Sequence, residues 1–124
     1  MTKILVAEDE RDILDLITYT LRFANYEVVA ASNGEEAVSL AKQEIPDLIL
    51  MDVRMPRMTR YEACETIKME ENLRNIPVIF LSARGLDSEI QTGLQTGAVE
   101  YLLKPFAPDL LIARIQAILL EYGK

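Results

Sequence analysis

Apolar runs along this chain stop abruptly at polar residues: KILVA ends on Glu8-Asp9, DLILM on Asp52, PVIFL on Ser82 and VEYLL on Lys104-Pro105. Each run is continuous rather than alternating, the pattern of a strand buried on both faces of a parallel sheet. Strand one is expected over Lys3 to Glu8, and Arg11 to Ala24 follows with Ile13, Ile17 and Leu21 at helical spacing, Leu14 and Leu16 beside them. Either Asp9 or Asp12 is the expected cap of that helix. A short second strand, Glu27 to Ser32, closes on the turn-prone Asn33-Gly34, and a helix is expected from about Glu35 to Glu44. Pro46-Asp47 opens the third strand and Pro77 the fourth, with a helix from about Tyr61 to Glu71 between them. Asp87 to about Thr96 reads as a fourth helix and Val99 to Leu103 as a fifth strand. Ala107 to Tyr122 reads as a final helix with Leu111, Ile115, Ile118 and Leu119 on one face. Five strands alternating with five helices make an α/β domain on a parallel sheet. In such sheets chemistry gathers at the carboxyl ends of the strands, so the polar set is expected to converge in space.

With 124 residues, no linker and no internal repeat, the chain is expected to form one domain over 1–124. Neither a long apolar stretch nor a signal-like N-terminus is present, so a cytoplasmic protein without membrane association is expected. Cys64 is the single cysteine, so no internal disulfide can form. Twenty acidic residues against 13 basic give a net charge of -7, which repels a phosphate backbone. Direct nucleic-acid binding by this domain is therefore not expected. Histidine is absent, which excludes Ser-His-Asp and Cys-His nucleophile schemes and most zinc sites.

What remains is carboxylate, lysine, hydroxyl and hard-metal chemistry. Glu8, Asp9 and Asp52 would bring three negative charges into one cleft, each raising the pKa of the others unless a cation joins them. Oxygen-only ligands favour a hard ion, and a few carboxylates plus waters and phosphate is the habit of Mg²⁺. Lys104 brings the sum to zero, which suits a counter-ion better than a base. A carboxylate beside Mg²⁺ can attack a phosphoryl group, and Asp52 is the best placed to do so. Lys104 would add a second cation on the phosphoryl oxygens and Ser82 a hydroxyl donor. Helix capping alone needs only one carboxylate and accounts for neither Asp52 nor Lys104.

Glu8-Asp9, Asp52-Val-Arg-Met-Pro, Ser82-Ala83-Arg84 and Tyr101-Leu-Leu-Lys104-Pro105-Phe106 together resemble the receiver domain of bacterial two-component response regulators, of the chemotaxis-regulator-like kind. The resemblance covers essentially the whole chain, and four motifs in order on four strand ends are specific where any one is weak. It implies a flavodoxin-like fold: a five-stranded parallel sheet of strand order 2-1-3-4-5 with helices on both faces. It implies a phosphoacceptor switch rather than an enzyme, with only Mg²⁺-dependent self-phosphorylation and self-dephosphorylation. Asp52 would be the phosphoacceptor, Asp9 a direct Mg²⁺ ligand, Glu8 a ligand through water, and the Arg54 carbonyl a third protein ligand. Ser82 and Tyr101 would be the hydroxyl and aromatic switch residues, and Lys104 the phosphate-contacting lysine. The implied partner is a sensor histidine kinase or phosphotransfer protein. A homodimer through the fourth helix, fifth strand and final helix is a further expectation, with Glu100 and Arg114 a candidate pair across it.

One loop departs from the family pattern. Where receivers usually read Met-Pro-Gly-Met-Asp-Gly, this chain reads Met55-Pro56-Arg57-Met58-Thr59-Arg60, so arginine replaces both glycines and Arg54 adds a third. That loop keeps alive an alternative, a receiver-like interaction module that works without phosphorylation. A flavin carrier is disfavoured because its first loop would have to hold a phosphate, and here it reads Glu8-Asp9-Glu10-Arg11-Asp12. An aspartate-nucleophile phosphatase would want an acid two residues after Asp52, where Arg54 stands.

Overall fold

The computed structural model describes residues 2–52, 60–82, 100–103 and 107–123. Among them five strands, β1 (Lys3–Ala7), β2 (Glu27–Ala31), β3 (Leu48–Asp52), β4 (Val78–Ser82) and β5 (Glu100–Leu103), form one sheet in the order β2-β1-β3-β4-β5. Every neighbouring pair runs parallel. Helices α1 (Arg11–Phe23), α2 (Gly34–Glu44) and α3 (Arg60–Met69) and the C-terminal helix (Pro108–Glu121) complete the described elements. The expected fourth helix, Asp87 to Thr96, lies outside the described residues.

Because strand side chains alternate faces, each run feeds two cores. Ile4, Val6, Leu48, Leu50, Ile79 and Leu81 pack with Leu14, Ile17 and Leu21 of α1 and with Leu111, Ile115, Ile118 and Leu119 of the C-terminal helix. Leu5, Ala7, Ile49, Met51, Val78 and Phe80 pack on the other face with α2 and α3. This double burial explains why the runs in β1, β3 and β4 are continuously apolar. At the sheet's edge, β2 is only partly buried, which its lead residue Glu27 tolerates.

The element ends have local causes. Helix α1 begins after Glu10, whose side chain makes no capping hydrogen bond, so the expectation of a cap at Asp9 or Asp12 is corrected. Asn33, expected to be a turn residue, caps α2 instead: its Oδ1 accepts from the Glu36 amide at 2.8 Å, and Glu36 Oε1 accepts from the Ser32 amide at 3.3 Å. Gly34 is then already helical. Helix α3 stops at Met69, short of the expected Glu71, as the Glu70 amide turns back to the Ile67 carbonyl. Lys68 Nζ donates to the carbonyls of Arg74 and Ile76, at 3.1 and 2.6 Å, and so ties the following turns into β4. Its burial there pushes the Lys68 ammonium below its ordinary pKa.

Helix α2 ends on Ile45 at φ 44° and ψ 67°, a left-handed conformation that crowds a β-branched side chain. Ile45 is 53% exposed, so little burial opposes a change. Ile45→Asn is expected to raise the free energy of unfolding by about 1 kcal/mol. A higher denaturant midpoint with an unchanged slope checks it.

Candidate functional site

Strand order decides where a site can form. From β1 the chain crosses to β2 on one side, then returns past β1 to β3 on the other, so the connection reverses between β1 and β3. Such a switch leaves a crevice outside the carboxyl ends of those two strands. Glu8 and Asp9 follow β1, and Asp52 is the last residue of β3.

Register sets the heights. Ala7 lies opposite Met51, which puts Glu8 level with Asp52. Asp52 lies opposite Leu81, so Ser82 ends β4 one residue farther along, and Ser82 lies opposite Leu103 at the end of β5. Neighbouring strand ends therefore step by at most one residue, roughly 3.3 Å. Tyr101 is the second residue of β5, opposite Phe80. The backbone thus brings the carriers of Glu8, Asp9, Asp52 and Ser82 to one end of the sheet. The side chains of Asp52, Ser82 and Tyr101 lie outside the described residues, as do Arg54 and Lys104 altogether.

Glu8 is held firmly. Its amide donates to the Ala31 carbonyl at 3.0 Å, extending the β1–β2 ladder by one step, and its side chain is fully buried. Among the described residues it is the one charged side chain so placed. Burying a carboxylate is costly unless cations or donors compensate it, so a capping or surface role does not explain its position. Asp9 is exposed just outside, where α1 begins. One buried and one exposed carboxylate at a strand end fit a hard cation held partly by protein oxygen and partly by water. Among the described residues no three acidic, cysteine or histidine side chains cluster to hold a metal.

The sequence pattern also held a feature that core periodicity masked. Leu16 stands beside Ile17 in the apolar pattern but is 58% exposed, and with Tyr19 and Phe23 it forms a second stripe on the outer face of α1. The i, i+3, i+7 spacing of the three was the available signal. Among the described residues no helix is long and apolar enough to cross a membrane.

Comparison with known proteins bears on the same elements. Residues 4–116 match the family model of the response regulator receiver domain. The chain is 39% identical over 122 residues to a probable transcriptional regulator ycf27 of Guillardia theta, covering 98% of this chain and 47% of that protein. It is 39% identical over 117 residues to the alkaline phosphatase synthesis transcriptional regulatory protein PhoP of Bacillus subtilis, covering 94% of this chain and 48% of that protein. The chain thus spans about half the length of these curated relatives. Among solved structures, the chemotaxis response regulator CheY4 of Vibrio cholerae superposes with a TM-score of 0.91 at 33% identity, covering 95% of this chain and 98% of that one. The receiver domain of sensor histidine kinase PA1611 from Pseudomonas aeruginosa, solved with a magnesium ion in its active-site cleft, gives 0.86 at 35% identity, covering 99% and 98%.

Proposed function

The chain belongs to the response regulator receiver-domain family, a regulatory rather than catalytic family, and on that premise we propose that it is the phosphoacceptor switch of a two-component relay. The observation that carries the reading is a fully buried Glu8, one residue past the Ala7–Met51 rung and so level with the end of β3 at the sheet's switch point. In a cytoplasmic setting, a histidine kinase or phosphotransfer protein presents a phosphohistidine to the strand ends. An Asp52 carboxylate oxygen attacks phosphorus; the new O–P bond forms as the N–P bond breaks, and imidazole leaves with the electron pair. Glu8, Asp9, Asp52 and the Arg54 carbonyl would hold Mg²⁺. When bound, that ion neutralises charge on the transferring phosphoryl oxygens. Lys104 and Ser82 hold the same oxygens, and slow attack by water later frees phosphate and restores Asp52.

Phosphorylation then acts as a switch. Added charge at Asp52 draws Ser82 and its following loop inward, and Tyr101 rotates into the space released. The face of the fourth helix, β5 and the C-terminal helix changes shape as one of two conformers gains population. That face carries the signal onward and is where phosphorylated copies would pair. Support comes from the family match, from the magnesium in the PA1611 receiver, and from a donor set of oxygens alone.

Intact mass spectrometry after incubation with a small acyl-phosphate donor tests the reading. One phosphoryl group per chain is expected with Mg²⁺, and none after chelation. An unchanged mass under both conditions would favour the phosphorylation-independent interaction module.

A further inference from the structure

Strand β2 closes one edge of the sheet, and among the described elements nothing pairs with its far side. The Glu27 amide donates to the Thr2 carbonyl at 2.9 Å and the Ala31 carbonyl accepts from the Glu8 amide at 3.0 Å, so Glu27, Val29 and Ala31 turn their main-chain groups toward β1. Val28 and Ala30, standing between them, turn theirs outward. Natural sheets blunt such an edge with lysine, proline or a bulge, and Val28-Val29-Ala30 has none of these. Ala30 is exposed, and beside it runs a groove of about 380 Å³ lined by Leu14, Thr18, Arg22, Ser32 and Glu36, among others.

This edge is its own complement. An antiparallel copy turned about Val29, the middle of the strand, sets Val28 opposite Ala30 on both sides of the axis, so each outward amide and carbonyl meets its counterpart. Residues directly opposite share a face, so the Val28 side chain of one copy enters the groove that the small Ala30 leaves open on the other. Charge favours the same direction. Arg22 stands at the head of β2, where its carbonyl accepts from the Asn25 amide at 3.0 Å, and Glu36 stands at the foot, where its carboxylate accepts from the Ser32 amide at 3.3 Å. Antiparallel pairing brings Arg22 of each copy to Glu36 of the second, while Glu27, tied to Lys3 at 3.6 Å, faces Ala31 and no second carboxylate. A parallel contact would set Arg22 on Arg22 and Glu36 on Glu36.

We propose that β2 is the seam of a symmetric homodimer, in which the two sheets join into one through antiparallel β2 strands. Val28 of each copy exchanges its main-chain hydrogen bonds with Ala30 of the second. Strands of 5 residues make a small seam and each copy carries a net charge of -7, so association is weak, reversible and concentration-dependent. It needs no phosphoryl group. It also lies at the opposite edge of the sheet from β5, which belongs to the pairing face proposed for the phosphorylated state.

Sedimentation equilibrium of the whole chain, from tens of micromolar to millimolar and without phosphodonor, should show a monomer–dimer equilibrium. Ala30→Pro removes an outward amide and leaves the β1 ladder intact, and Ala30→Lys sets a charge in the seam; each should weaken the dimer at least about tenfold. Arg22→Glu and Glu36→Arg should each weaken it about threefold or more, and the double exchange should restore it to within about threefold. Disulfide trapping reads the register. Val29→Cys meets its own copy across the axis and should cross-link at least about tenfold faster than Glu27→Cys, with the buried Cys64 taking no part. A monomer across the whole range overturns the proposal. So does a dimer indifferent to both Ala30→Pro and Ala30→Lys, a double exchange that restores nothing, or equal cross-linking from positions 27 and 29.

Discussion

Asp52→Asn takes up no phosphoryl group from an acyl-phosphate donor with Mg²⁺, under conditions where the unaltered chain gains one. The substitution keeps the size of the side chain and removes the nucleophile, since an amide oxygen carries no negative charge with which to attack phosphorus. Its position in the last rung of β3, paired with Leu81, keeps the backbone in place. The loss is thus chemical and not a failure to fold, and a melting point near that of the parent would document it. Glu8→Gln gives a graded result instead. Glu8 is level with Asp52 and fully buried, but on the proposed reading it acts through water on the ion. A fall of about 10–100-fold in phosphorylation rate at limiting Mg²⁺, partly recovered at high Mg²⁺, is the expected outcome.

Phe80→Ala is expected to cost about 3–5 kcal/mol of stability. Phe80 is fully buried, stands at the middle of β4 and packs in the core shared with α2 and α3. Truncation removes the transfer energy of a ring and leaves a cavity in that core beside Met51, its neighbour in register on β3. For a chain of this size the melting point falls by about 10–20 °C. Ser82 follows two residues later, so the same change should slow phosphorylation even at temperatures where most molecules remain folded. Calorimetry with parallel phosphorylation rates measures both effects.

Much of the architecture is written in the strand runs. Residues 4–7, 48–51 and 78–81 are buried from both faces, and only a doubly covered parallel sheet demands that pattern of the chain. The C-terminal helix is equally legible, since Leu111, Ile115, Ile118 and Leu119 all reach the core. Where readings slipped, a second interaction competed with the first. Asn33-Gly34 has the composition of a turn, but Asn33 satisfies an orphan helix amide and Gly34 becomes the first residue of α2. Leu16 is apolar and next to the core stripe, yet its angular position on α1 points it outward. Lys68 gave no signal, because donation to the carbonyls of Arg74 and Ile76 depends on how the chain turns after α3. At the site, the strand-end positions of Glu8 and Asp52 follow from pattern alone. The total burial of Glu8 does not, since an acidic side chain is ordinarily exposed.

Carboxylates from β1 and β3 meeting so that Asp52 accepts phosphate is the centre of this account, and reductive trapping tests it most directly. Borohydride converts an aspartyl phosphate to homoserine, which marks the acceptor permanently for peptide mapping. Homoserine at position 52, and nowhere else, is the expected product after exposure to donor and Mg²⁺. Homoserine at another carboxylate, or a phosphorylated chain that yields none, would contradict it.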